Sequence, residues 1–113
     1  PIEAIENTDD VIQVPKNLVT ENKKNYILKV AGDSMLNKGI VDGDKAIIEY
    51  CNDANNGDIV VALINDNEVT LKKLKKDKNK IHLIPENDNY QTQSFNPEEV
   101  KIQGKLKGII RSY

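Results

Sequence analysis

The feature that most constrains this chain is its punctuation. Its apolar residues fall in short runs, each cut off by Gly, Asn, Asp or Pro, and no segment holds a helical period for long. Such a pattern calls for strands joined by tight turns. Strands are expected over residues 11–15, 26–31, 45–50, 59–64, 68–74, 80–84, 98–103 and 105–110. The run Ile59-Val60-Val61-Ala62-Leu63-Ile64 has no polar interruption, so it predicts a central strand covered on both faces. Asn65-Asp66-Asn67 then turns the chain back into a hairpin. Residues 1–10 are acidic and poorly periodic and read as an extended arm. The only helical expectation is a short turn near residues 34–37. The result is a mostly β fold, a barrel of packed, mainly antiparallel sheets.

Composition agrees with that class. The chain has only one Phe, four Tyr and no Trp, so its core must be built from Ile, Val and Leu, a β-branched diet that suits strands. Its 113 residues fit one domain, spanning 1–113, and can bury a modest core without metal or disulfide. The net charge of -2 argues against a domain that grips nucleic acid by itself. With one cysteine, Cys51, no internal disulfide is available, and a reducing cytoplasm is the natural compartment. No run approaches the length of a membrane span, and no signal peptide is visible.

Three serines are present, Ser34, Ser94 and Ser112. Ser34 stands out in Val30-Ala31-Gly32-Asp33-Ser34-Met35, just past a strand and a glycine. A serine on such a turn can expose its hydroxyl beside backbone N–H groups able to act as an oxyanion hole. Gly-x-Ser alone is an ordinary turn, so a base has to be found. His82, the only histidine, sits within Ile81-His82-Leu83-Ile84 and shares a face with Ile84. It can be a Ser–His base or simply a strand residue, and it lacks the turn context usual for a catalytic histidine. Lysine is the other candidate, and six crowd residues 72–80. Read blandly, they decorate a solvated edge. Alternation separates them: Val69, Leu71 and Lys73 share one face, and Thr70, Lys72 and Leu74 the other. Lys72 therefore stands between Thr70 and Leu74, on a strand paired with the apolar run 59–64. Burial would lower its pKa, and a neutral amine can take a proton from a serine hydroxyl. Thr70 is placed to orient that amine. Cys51 and His82 are the only soft ligands and lie far apart, so no metal and no cofactor are expected. Cys51 has no partner motif for a nucleophile. The lysine cluster lacks the interleaved aromatics of a nucleic-acid patch.

Several pieces taken in order resemble the C-terminal domain of LexA-type SOS repressors. They are Pro1-Ile2-Glu3-Ala4-Ile5-Glu6-Asn7, the Ser34 motif, and Gly39-Ile40-Val41-Asp42-Gly43-Asp44. After these come Asn56-Gly57-Asp58-Ile59-Val60-Val61-Ala62, Glu68-Val69-Thr70-Leu71-Lys72-Lys73-Leu74, Leu83-Ile84-Pro85-Glu86-Asn87, and Gly104-Lys105-Leu106-Lys107-Gly108-Ile109-Ile110-Arg111. Each is loose, but their order and spacing are specific. The resemblance covers nearly the whole chain. It implies the β fold shared with UmuD, lambda-type phage repressors and signal peptidases. It also implies a Ser34–Lys72 dyad that cuts the protein's own backbone at an upstream Ala-Gly bond. In that family the RecA–single-stranded DNA filament stimulates the cut, and DNA is bound through a separate N-terminal domain. That domain and the Ala-Gly bond are expected before residue 1, with residues 1–10 following the cut. A symmetric homodimer is expected through the apolar terminal strand, residues 105–111, read as an open edge. The alternatives are a UmuD-like polymerase accessory protein, a phage repressor domain, and a dimerisation module without chemistry. A signal peptidase fits less well, because no anchor is visible.

Overall fold

A computed structural model describes residues 2–4, 16–18 and 22–113. Among these residues eight strands run in chain order: β1 (Ile2–Ala4), β2 (Asn25–Val30), β3 (Lys45–Glu49), β4 (Ile59–Ile64), β5 (Glu68–Lys76), β6 (Ile81–Ile84), β7 (Gln93–Phe95) and β8 (Val100–Ile110). They join one sheet in the order β1-β2-β3-β8-β4-β5-β6-β7. Every neighbouring pair is antiparallel. β1 also lies against β5, so the sheet curls back on itself. Among the described residues, helix is confined to three short 3-10 turns, one of them Leu36–Lys38 just after Ser34. Among the described residues, no helix is long and apolar enough to cross a membrane. The strand expected over residues 11–15 lies outside the described residues.

The sheet is two meanders, β1–β3 and β4–β7, stitched together by β8. Residues 100–105 of β8 pair with β4, and residues 105–110 pair with β3. A bulge accompanies each partner, between Val61 and Ala62 on β4 and between Ile47 and Ile48 on β3. Sequence reading split this strand at Gly104, taking the glycine for a break. It is instead a point of close approach: a Cβ there would collide with the Ile48 side chain and press on the Glu49 carbonyl and the Tyr26 hydroxyl. Tyr26 donates a 2.7 Å hydrogen bond to the carbonyl of Gln103, the residue skipped by the bulge. This half-buried phenol has its pKa pushed up to about 12 by burial.

The terminal segment expected to be an open edge is open on one side only. β8 is internal, and its C-terminal half is bonded to β3 on one side. On the other side the β4 ladder stops at Lys105, so among the described residues nothing pairs with that edge of residues 106–110. Leu106 and Ile109 pack against the core, because the bulge turns both inward.

The core has two parts. One gathers Leu28, Val30, Met35, Ile40, Ala46, Ile48, Val61 and Leu71, and the other Val60, Ala62, Ile64, Leu74, Ile81, Leu83 and Val100. β4 contributes to both, as its unbroken apolar sequence predicts. The β4–β5 turn sets the register that matters for function. Asn65 and Asp66 both have positive φ, 50° and 57°, and Asn67 N–H donates to the Ile64 carbonyl at 3.0 Å. That is the type I′ geometry whose twist matches a hairpin, and Asn and Asp tolerate it. The resulting register places Lys72 opposite Val60, and Thr70 opposite Ala62.

Candidate active site

Ser34 lies in the connection between β2 and β3, held from several sides. Gly32 takes φ 86°, which turns the chain sharply off the end of β2. Its N–H donates to the Asp42 carboxylate at 2.7 Å. The returning loop is clamped by Asp44, 1% exposed, which receives two bonds from the Arg111 guanidinium, at 2.7 and 2.8 Å. Arg111 also donates to the Gly39 carbonyl at 2.7 Å. This bidentate pair holds the Asp44 carboxyl below the usual carboxylate range. The residues of the Gly39–Asp44 piece thus serve the loop that carries the serine.

From β5, the Lys72 amine reaches across to Ser34, with Nζ and Oγ 2.9 Å apart. The same Nζ lies 2.6 Å from Thr70 Oγ1, two residues along the same face. Lys72 is 9% exposed and Thr70 is 3% exposed. Burial pushes the Lys72 pKa down from its ordinary value, and Glu68 opposes this only in part. A desolvated amine poised on a serine hydroxyl can accept its proton. A small cleft here is lined by Val30, Gly32, Ser34, Met35, Leu71 and Lys72. Among the described residues, the N–H groups of Ser34 and Met35 have no acceptor. The three residues singled out in the sequence, Ser34, Lys72 and Thr70, therefore form one contiguous hydrogen-bonded group.

Of the two candidate bases, only Lys72 lies within hydrogen-bond distance of Ser34. His82 is not at Ser34. Its Nδ1 lies 2.7 Å from Ser94 Oγ, on the neighbouring strand, and its Nε2 lies 2.8 Å from Asp77 Oδ2. Lys73 points away from the Ser34 hydroxyl and pairs with Glu86 at 2.9 Å. Cys51 is half-buried in a loop, where burial pushes its thiol pKa up. Among the described residues, no cluster of three or more His, Cys, Asp or Glu side chains could hold a metal ion.

The chain matches the Peptidase S24-like family over residues 1–107. It belongs to that family. The Ser34 and Lys72 motifs both lie inside the matched region. The chain is 53% identical over its whole length to a LexA repressor of Clostridium perfringens, covering 54% of that relative. It is 50% identical to the LexA repressor of Clostridium novyi, covering 55% of it. A more distant LexA repressor, from Granulibacter bethesdensis, is 45% identical over the full 113 residues, with 46% of it covered. The chain thus spans about half the length of the S24-like relatives it matches.

Sequence reasoning missed the loop between β6 and β7. Glu86 N–H donates to the Ser34 carbonyl at 2.9 Å, and the Asn87 side-chain amide donates to the Asp33 carbonyl at 2.8 Å. Tyr90 donates its hydroxyl to the Asp33 carboxylate, which raises the phenol's pKa. A signal was present in Leu83-Ile84-Pro85-Glu86-Asn87, but nothing in its spacing says what it touches.

Proposed function

We propose that this chain is the self-cleavage and dimerisation domain of a LexA-type repressor of the SOS response, with Ser34 as nucleophile and Lys72 as general base. The observation that carries the reading is the 2.9 Å approach of the buried Lys72 amine to the Ser34 hydroxyl. In the neutral form the amine takes the hydroxyl proton as Oγ attacks the carbonyl carbon of the scissile peptide. The new oxyanion is received by the Ser34 and Met35 N–H groups. The Lys72 ammonium then returns its proton to the leaving amine, and water releases the acyl group in a second round. Thr70, 2.6 Å from Nζ, aims the amine.

The proposed substrate is an Ala-Gly bond in a segment preceding this domain, with cleavage stimulated by the RecA–single-stranded DNA filament in the cytoplasm. Cutting there would detach a DNA-binding domain and cost the repressor its bivalent grip on the operator. Residues 1–113 form one domain in this reading. The homodimer would form through the unpaired side of residues 106–110, with operator affinity residing outside this chain. Sedimentation of Ile110→Glu, a residue away from the core-packed Ile109, should show monomer, and a persistent dimer would place the interface elsewhere.

The chemistry is tested in trans, on a separate protein that carries the Ala-Gly segment and a disabled dyad. The chain should cut it, Ser34→Ala should not, and Lys72→Ala should nearly fail. Cutting by Ser34→Ala would overturn the reading.

A further inference from the structure

Two successive peptide planes flank the serine, and the β6–β7 loop grips both. In a trans peptide the carbonyl and the N–H point in opposite directions across one rigid plane. Fixing the carbonyl therefore fixes where the N–H points. The Asp33 carbonyl accepts from Asn87 Nδ2 at 2.8 Å and from Leu36 N–H at 3.2 Å, which occupies both its lone pairs. Its partner across the plane is the Ser34 N–H. The Ser34 carbonyl accepts from Glu86 N–H at 2.9 Å, and its partner across the plane is the Met35 N–H. These are the two N–H groups without an acceptor among the described residues.

The grip is itself anchored. Asn87 is a buried polar residue, 9% exposed, and its Oδ1 accepts from Asn89 N–H at 2.9 Å, which holds the amide in one orientation. The Glu86 carbonyl accepts from Asn37 N–H at 2.7 Å, closing the loop onto the turn beyond the serine. The Glu86 carboxylate pairs with Lys73 at 2.9 Å, one residue from Lys72 on β5. The loop thus ties the strand that carries the amine to the turn that carries the hydroxyl.

We propose that Asn87 is a positioning residue for the reaction: through the Asp33 carbonyl it aims the Ser34 N–H at the developing oxyanion. The inference rests on the Ser34–Lys72 reading. Among the described residues Asn87 makes no hydrogen bond to the Ser34 or Lys72 side chain, so its removal leaves proton transfer intact and loosens one oxyanion donor. Losing such a donor outright costs about 10²–10³ in kcat. Loss of its aim should cost less, on the order of tenfold to a hundredfold.

The decisive variant is Asn87→Asp. It keeps the shape and the oxygen that accepts from Asn89 N–H, but the ionised carboxylate has no hydrogen to give the Asp33 carbonyl. Trans cleavage should show kcat reduced about tenfold or more, with KM unchanged. If that variant fails to fold, Asn87→Ser retains a turn-forming oxygen while falling short of Asp33, and the same loss is expected. Tyr90→Phe removes only the contact to the Asp33 side chain and should keep wild-type kcat. A folded Asn87→Asp or Asn87→Ser with wild-type kcat overturns the proposal. A shifted pH midpoint in the uncharged Asn87→Ser does so too, because it would place the effect on Lys72. Failure of the parent reading looks different: Ser34→Ala would still cut.

Discussion

Two serines in this molecule sit within hydrogen-bond distance of a base, and they teach opposite lessons. Ser94, His82 and Asp77 line up in the manner of a charge-stabilised triad. The Asp77 carboxylate can only accept, so a neutral His82 carries its proton on Nε2 and offers Nδ1 to the Ser94 hydroxyl. Ser34 has only a lysine. Yet the apparent triad lies across two strands near the sheet edge, with the Asp77 side chain 54% exposed. The Ser34 pair is sunk beside a cleft, Lys72 being 9% exposed, and among the described residues the Ser34 and Met35 N–H groups alongside have no acceptor. Hydrogen-bond geometry alone does not make a site. Desolvation, which lowers the amine's pKa, and donors ready for an oxyanion separate the two. Ser94 and His82 instead pin the short, polar β7 onto β6.

The largest expected effects fall on Ser34. In trans cleavage, Ser34→Ala should lower the rate by roughly 10⁴-fold or more, whereas Ser94→Ala should stay within about twofold. Lys72→Ala should cost roughly 10²–10⁴-fold and His82→Ala next to nothing. The reverse pattern would invert the comparison.

Stability should move the other way. In the folded chain Lys72 has a depressed pKa, so the unfolded chain binds more protons between that pKa and about 10.4. The cost of burying the amine is therefore full at lower pH and vanishes as pH rises through that window. Lys72→Met should raise stability at neutral pH by about 1 kcal/mol while removing activity, measured by urea unfolding. A loss of stability would show that the ammonium is well paired and not desolvated. The smallest effect belongs to the exposed triad. The hydrogen bond from His82 holds Asp77 at a pKa of about 2, so its stabilisation is present above the ordinary 3.8 and fades as pH falls toward 2. In His82→Ala that slight acid-side loss should flatten, with no change in cleavage.

The same contrast marks what the amino-acid sequence could disclose. Thr70 and Lys72 share a face by strand alternation, and an Asn-Asp turn fixes their register, so local rules suffice to find the amine. The serine follows a glycine that must turn the chain. His82 was open to either role because periodicity gives its face, shared with Ile84, but not its neighbours. β7 was missed because Gln93-Ser94-Phe95 has no apolar pattern and is held by cross-strand contacts. Gly104 looked like a strand break because the side chains of Tyr26 and Ile48, which crowd it, come from strands distant in the chain. The Asn87 contact with Asp33 spans 54 positions and joins two loops, where no periodicity operates.

The central claim is that Ser34, activated by Lys72, is the nucleophile of this molecule. A fluorophosphonate probe followed by peptide mass spectrometry tests it without any protein substrate. The account predicts modification of Ser34 alone, faster as pH rises through the depressed Lys72 pKa, abolished in Lys72→Ala and undiminished in His82→Ala. Modification of Ser94, or labelling of Ser34 that survives Lys72→Ala and is lost in His82→Ala, would contradict it.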